Sequence, residues 1–103
     1  MFRELMLGLI RIHILHHAAE GPVYGVWLME ELRRHGYELS PGTLYPILHS
    51  LERQGYLASE RRVVGGRVRR YYTLTPRGRQ ALEESRARVR ELAREILGGA
   101  AHG

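Results

Sequence analysis

The 103-residue sequence contains no cysteine, no lysine and no aspartate. Without cysteine, neither a disulfide framework nor a thiolate metal site can form. Without lysine and aspartate, a P-loop lysine, a Schiff-base lysine, an EF-hand loop and an Asp-containing catalytic triad are all excluded. No nucleophile stands beside an activating base in a plausible setting, so an enzyme is not expected. Long apolar runs are also lacking. The longest, Leu5 to Leu15, is interrupted by Gly8, Arg11 and His13 and is too short to cross a bilayer. Arg3 and Glu4 ahead of it are mixed in sign, and no small-residue cleavage site follows. The expected compartment is the cytoplasm, with no membrane partner.

What is present is narrow in type. All sixteen basic residues are arginine and all eleven acids are glutamate, giving a formal net charge of +5 and a pI near 10.2. Such a balance suits a polyanionic partner. Guanidinium also pairs with phosphate in a fork, although a GC-rich genome would produce the same bias toward arginine. With 44% hydrophobic residues and no internal repeat, the chain reads as one small domain.

Its organising stretch is Ser40 to Leu57. Leu44, Ile47, Leu48 and Leu51 recur at i, i+3, i+4 and i+7, the spacing of one buried helical stripe. Ser40 is placed to cap the first turn, Pro41 suits the first helical position, and Gly55 suits a left-handed stop. The opposite face carries Thr43, Tyr45, His49, Ser50 and Arg53. Pro46 lies inside this helix and must leave the Gly42 carbonyl without its usual donor.

Ahead of that stretch, residues 3–19 predict a helix that is apolar on almost every side. A monomer of this size cannot bury it, so a homodimer is expected. Gly21-Pro22 ends it, and a second helix over 23–35 points Trp27, Leu28 and Leu32 inward. With the helix over 41–54, this pair reads as helix-turn-helix. Beyond Gly55 the period changes to two. Residues 56–64 and 67–75 form a hairpin around Gly65-Gly66, with Leu57, Val68, Tyr72 and Leu74 toward the core. Arg61, Arg62, Arg67, Arg69 and Arg70 crowd its tip against Glu60 alone. Thr75-Pro76 then caps a last helix over 76–98, whose Leu82, Ser85, Val89, Leu92 and Ile96 are spaced as a coiled-coil seam. Residues 99–103 are expected to fray.

The fold class is therefore α+β, mainly α. A winged helix-turn-helix occupies residues 1–75, and a long C-terminal dimerisation helix follows. Several motifs make the resemblance specific: Gly-Pro-Val-Tyr-Gly at 21–25, Leu-Ser-Pro-Gly-Thr-Leu-Tyr-Pro at 39–46, Leu-Glu-Arg-Gln-Gly-Tyr-Leu at 51–57 and Arg-Arg-Tyr-Tyr-Thr-Leu-Thr-Pro-Arg-Gly at 69–78. In that order they resemble the PadR family of transcriptional regulators, in its compact branch with a single terminal helix. The resemblance implies a dimeric repressor that releases DNA when an effector binds between the first and last helices. It also implies that the helix beginning at Ser40 enters the major groove while the 61–70 wing reaches toward the minor groove.

The candidate DNA contacts are Ser40, Thr43, Tyr45, His49 and Arg53 on the helix, the five wing arginines, and Tyr24, which packing alone would equally explain. Leu5, Leu9, Ile12, Leu82, Val89, Leu92 and Ile96 are expected at the dimer interface. Two symmetry-related helices would then read an inverted repeat with half-sites about 10 bp apart. His13 and His17 share a helix face, with His16 beside them. They suit a divalent cation of the Zn²⁺ type, completed by groups such as Glu91 and Glu95 of a partner's last helix. No cofactor is required, and the alternative is histidines that line the interface and bond to carbonyls or glutamates. From another class, the fold also serves as a protein-interaction module without specific DNA binding. That reading would place the arginines away from the helix and wing.

Overall fold

A computed structural model describes residues 1–98 and shows four helices and one two-stranded antiparallel sheet. In chain order these are α1 (Phe2–Glu20), α2 (Gly25–Arg34), α3 (Pro41–Arg53), β1 (Leu57–Val64), β2 (Arg67–Leu74) and α4 (Pro76–Ile96). The expected fray at 99–103 lies outside the described residues.

The apolar stripe of α3 is the centre of the core. Leu44, Ile47, Leu48 and Leu51 are all buried, as the 3.6-residue period requires. They meet Ile10, Ile14 and Leu15 of α1, Leu28 and Leu32 of α2, Leu57 and Tyr72 of the sheet, and Leu82 of α4. Each such leucine contributes about 1.5–3 kcal/mol by leaving water. Pro46 is accommodated because it lies on the exposed side of α3 together with Gly42. The carbonyl left without a donor thus opens to solvent, and the helix runs on without a break.

At the ends, local chemistry explains most boundaries. Gly55 stops α3 with φ at +85°. Gly65 and Gly66 adopt φ of +58° and +79°, the two positive values a type I′ hairpin needs, so β1 and β2 pair from Leu57 with Leu74 to Val64 with Arg67. The Thr75 side chain accepts from the Gly78 amide and caps α4. Ser40 behaves differently from expectation. Its hydroxyl makes no cap bond and lies 3.3 Å from the Thr43 hydroxyl, while its backbone carbonyl accepts from the Thr43 and Leu44 amides.

Two expected core positions and one expected interface position also change. Trp27 is 38% exposed: it sits one residue, about 100°, off the Leu28–Leu32 stripe and spreads its ring against His17 instead. Val68 is 67% exposed although it shares a sheet face with Leu57, Tyr72 and Leu74, because the hairpin has by then run past the edge of the core. Leu82 is fully buried within the single chain, so it anchors α4 to its own core and has no surface left for a second chain. On α1 the buried residues lie in the C-terminal half (Ile10, Ile14, Leu15, His17 and Ala18), while Phe2 and Leu5 stay exposed.

A reciprocal backbone pair ties the loop before α2 to the wing. The Val23 amide donates to the Tyr72 carbonyl at 3.0 Å, and the Tyr72 amide donates to the Val23 carbonyl at 2.7 Å. This pairing sets Tyr24 beside β2. No helix among the described residues is long and apolar enough to cross a membrane.

Candidate nucleic-acid interface

The outer face of α3 is a continuous exposed stripe: Gly42, Pro46, His49 and Arg53, spaced four, three and four residues apart. Ser40 is exposed at its start and Thr43 is half-buried beside it. Tyr45 does not join the stripe. It is half-buried against the core, with its hydroxyl over the start of α2. There Gly25 makes room for it, since a Cβ at that position would collide with the Tyr45 ring. Gly42 and Pro46 are surface positions that residue chemistry did not single out, though their spacing with His49 and Arg53 was readable.

The wing places its cations on both faces. Alternation along the paired strands puts Arg61 opposite Arg70 on the face that continues the core, and Arg62 opposite Arg69 on the other. Like charges directly across a ladder are unfavourable, so two stacked Arg–Arg pairs need compensation. Part of it is internal. Arg62 donates through Nε to Glu60 at 2.9 Å and again through Nη2, and its guanidinium lies 4.6 Å from the centre of the Tyr71 ring. Glu60, the one acid among the wing arginines, is thus taken up by Arg62. Arg69 lies 4.0 Å over the Tyr24 ring, which meets Tyr71 edge-on at 5.4 Å. Tyr24 thus packs, and in packing it holds an arginine at the surface. Arg70 donates to the Ser59 hydroxyl at 2.8 Å, and Ser59 donates to Glu52 of α3 at 2.7 Å, so wing and helix are joined by a polar chain. Arg61 and Arg67 have no ion pair among the described residues and remain fully available to an anion.

Along α4 the apolar seam beyond Leu82 is uncovered. Val89, Leu92 and Ile96 are all exposed, as is Leu5 on α1, while Leu9 and Ile12 are half-buried. An open groove of about 400 Å³ runs between the two helices, lined by Leu9, Ile12, His13, His16, Val89 and Arg90 among others.

The histidines divide into two sets. His16 turns toward α4, where its Nδ1 receives Arg86 Nη2 at 3.2 Å. His13 and His17 turn instead toward His35, just past α2, with ring centres 4.8 Å (His13–His35) and 6.0 Å (His17–His35) apart. His35 was missed in the sequence because 22 residues separate it from His13, and only the α1–α2 packing brings them together. Glu31 borders the group: its Oε2 lies 3.3 Å from His35 Nε2 and 3.6 Å from His17 Nε2. Burial and the neighbouring imidazoles of His35, His17 and His16 hold His13 below the ordinary imidazole range, against an opposing pull from Glu31. Burial would raise the Glu31 carboxyl, but Arg34 and the His35 and His17 imidazoles outweigh it and leave it lowered. Among the described residues, Glu91 and Glu95 belong to neither cation-ready group, which are His13–His17–His35 and His16–His17–Glu20.

Comparison with known proteins agrees with this geometry. Residues 14–84 match the transcriptional regulator PadR-like family. The transcriptional regulator Rv3488 of Mycobacterium tuberculosis is 60% identical over 100 residues, covering 97% of this chain and 94% of that protein. The crystal structure of a PadR family transcriptional regulator from Eggerthella lenta superposes with a TM-score of 0.80 at 36% identity, covering 93% of this chain and 85% of that one. A Streptococcus transcriptional regulator superposes with a TM-score of 0.82 at 25% identity, covering 91% and 94%. Proteins of this kind bind DNA, typically dimerise and carry no enzymatic activity. With a recognition-type helix, a cationic wing and a family match across most of its length, the chain belongs to the PadR-like family of transcriptional regulators.

Proposed function

We propose that the chain acts as a homodimeric, sequence-specific repressor, released from its operator when an effector binds between α1 and α4. The observation that carries this reading is the pairing of two unsatisfied surfaces. The exposed stripe of α3 and the wing arginines present excess positive charge, while Val89, Leu92, Ile96 and Leu5 present an apolar strip that a second copy would cover. Ser40, Thr43, His49 and Arg53 would meet the major groove. Arg61 and Arg67 would meet phosphate, with Arg62, Arg69 and Arg70 held beside them. The groove lined by Leu9, Ile12 and Val89 would take the effector.

Fluorescence anisotropy on the duplex upstream of the protein's own gene and on a scrambled duplex, at several salt concentrations, tests this reading. Tighter binding to the native duplex with a steep salt slope is expected. Arg61→Ala with Arg67→Ala should weaken both duplexes alike and flatten the salt slope by about one unit per lost phosphate contact. Weak and equal binding to both duplexes would favour a protein-interaction module, and a single asymmetric footprint would contradict the dimer.

A further inference from the structure

We propose that His13, His17 and His35 form an intramolecular binding site for a late first-row divalent cation such as Zn²⁺, and that filling it changes operator affinity. The site shares His13 with the rim of the effector groove but is centred elsewhere: it lies between α1 and the end of α2 and needs no second chain. One ligating atom from each of the three imidazoles can be chosen so that all lie within 4.8 Å of one another. A tetrahedral ion with Zn–N bonds of about 2.1 Å needs them about 3.4 Å apart. Side-chain rotations of the three imidazoles, of which His35 is exposed, would close that gap.

A second observation points the same way. His17 is only 8% exposed, and neither of its buried ring nitrogens has a hydrogen-bond partner. The carboxylates of Glu20 and Glu31 stand near them at 3.5 and 3.6 Å without closing a hydrogen bond. Buried imidazole nitrogens are ordinarily satisfied, so one left open within 4.8 Å of nitrogens on two further imidazoles is arranged as a ligand is. Glu31, whose Oε2 lies 3.3 Å from His35 Nε2, is in place to orient His35. A nitrogen-rich set without thiolate suits Zn²⁺, Ni²⁺ or Co²⁺, whereas Mg²⁺ and Ca²⁺ require oxygen.

The consequence for DNA follows from the packing. Cation binding would clamp α1 to the end of α2, and α2 meets α3 where Tyr45 covers Gly25. An ion that favours one α1–α2 arrangement therefore biases the placement of α3. This regulatory half rests on the DNA-binding reading above, and the cation site itself does not.

The test uses the full chain without a histidine tag. Zn²⁺ is titrated by calorimetry and followed by the fluorescence of Trp27, the one tryptophan, whose ring centre lies 5.5 Å from that of His17. One ion per chain is expected, with an emission change that saturates at one equivalent. His35→Ala, an exposed change that keeps the fold, should weaken binding at least about 100-fold, because loss of a ligand's outer partners alone costs about 10–100-fold. His16→Ala should leave it unchanged. Absence of saturable one-to-one binding would overturn the site, as would an equal loss in His16→Ala with none in His35→Ala. Operator anisotropy with and without one equivalent of Zn²⁺ should differ about tenfold in the parent and not in His35→Ala, the size of an ordinary coupling. Zn²⁺ binding without that shift would overturn the regulatory half. Failure to bind any operator would count against the repressor reading and leave the calorimetric result to judge the cation site.

Discussion

Helices α3 and α4 carry the same kind of signal, apolar residues spaced three and four apart, and they meet opposite fates. Leu44, Ile47, Leu48 and Leu51 of α3 are all buried by the chain's own α1, α2 and sheet. Of the α4 seam, Leu82 is buried in the core, and Leu92 remains 50% exposed a few turns later. The difference is length. The core ends near Leu82, and α4 runs on beyond it to Ile96 beside an open groove against α1 that leaves Val89, Leu92 and Ile96 exposed. An apolar period therefore says that a face will be buried, and not by whom.

The sharpest way to break this comparison is to delete one residue from each stripe. Leu48→Ala should cost about 2–5 kcal/mol of unfolding free energy, at any protein concentration, when measured by urea titration. Leu92→Ala should leave the isolated chain within about 0.5 kcal/mol, as surface changes generally do. If Leu92→Ala matched Leu48→Ala at low concentration, α4 would be packing within its own chain. Placing a charge on the arm comes next in size. Val89→Glu or Leu92→Glu should raise the dimer dissociation constant at least about tenfold each, equivalent to about 1.4 kcal/mol, as read by sedimentation. An unchanged dimer would move the interface elsewhere.

The smallest expected effect concerns protons. His13 titrates below the ordinary imidazole value when folded, so below a pH of about 6.5 the unfolded chain takes up the proton first. Stability should thus be level above that pH and fall as pH drops below it. The groups facing His13 include His16, His17, His35, Glu31 and the Tyr37 ring, which meets it edge-on at 5.3 Å. Urea midpoints in the parent and in His13→Gln would check this, with a shallower acid slope expected in the variant.

How much of this was visible beforehand depended on how local its cause was. The α3 stripe, the Gly65-Gly66 turn and the Thr75 cap follow from residues within a few positions of one another, and each takes its expected form. Val68 was misplaced because alternation reveals a sheet face but not where the core beneath it stops. Trp27 was misplaced because its size outweighed its angle on the helix. Ser40 had an alternative partner in Thr43 that a capping pattern does not weigh. At the candidate site the wing arginines were legible from composition, and their settlement on Tyr24, Tyr71 and Glu60 was not. His35 needed the tertiary fold itself.

One hydroxyl has a mechanical consequence. Thr75 Oγ1 donates to the Gly55 carbonyl at 2.6 Å while accepting from the Gly78 amide at 2.9 Å, and the Thr75 amide reaches the Tyr56 carbonyl at 3.2 Å. The end of the reading helix, the last residue of the wing and the root of the arm are thereby spliced at a single joint. A lever hinged at such a joint turns a small swing of a long arm into a matching rotation of the short one. In an assembled pair, the angle at which two arms cross would then set the distance between the two reading heads, so operator spacing would be gauged far from any base.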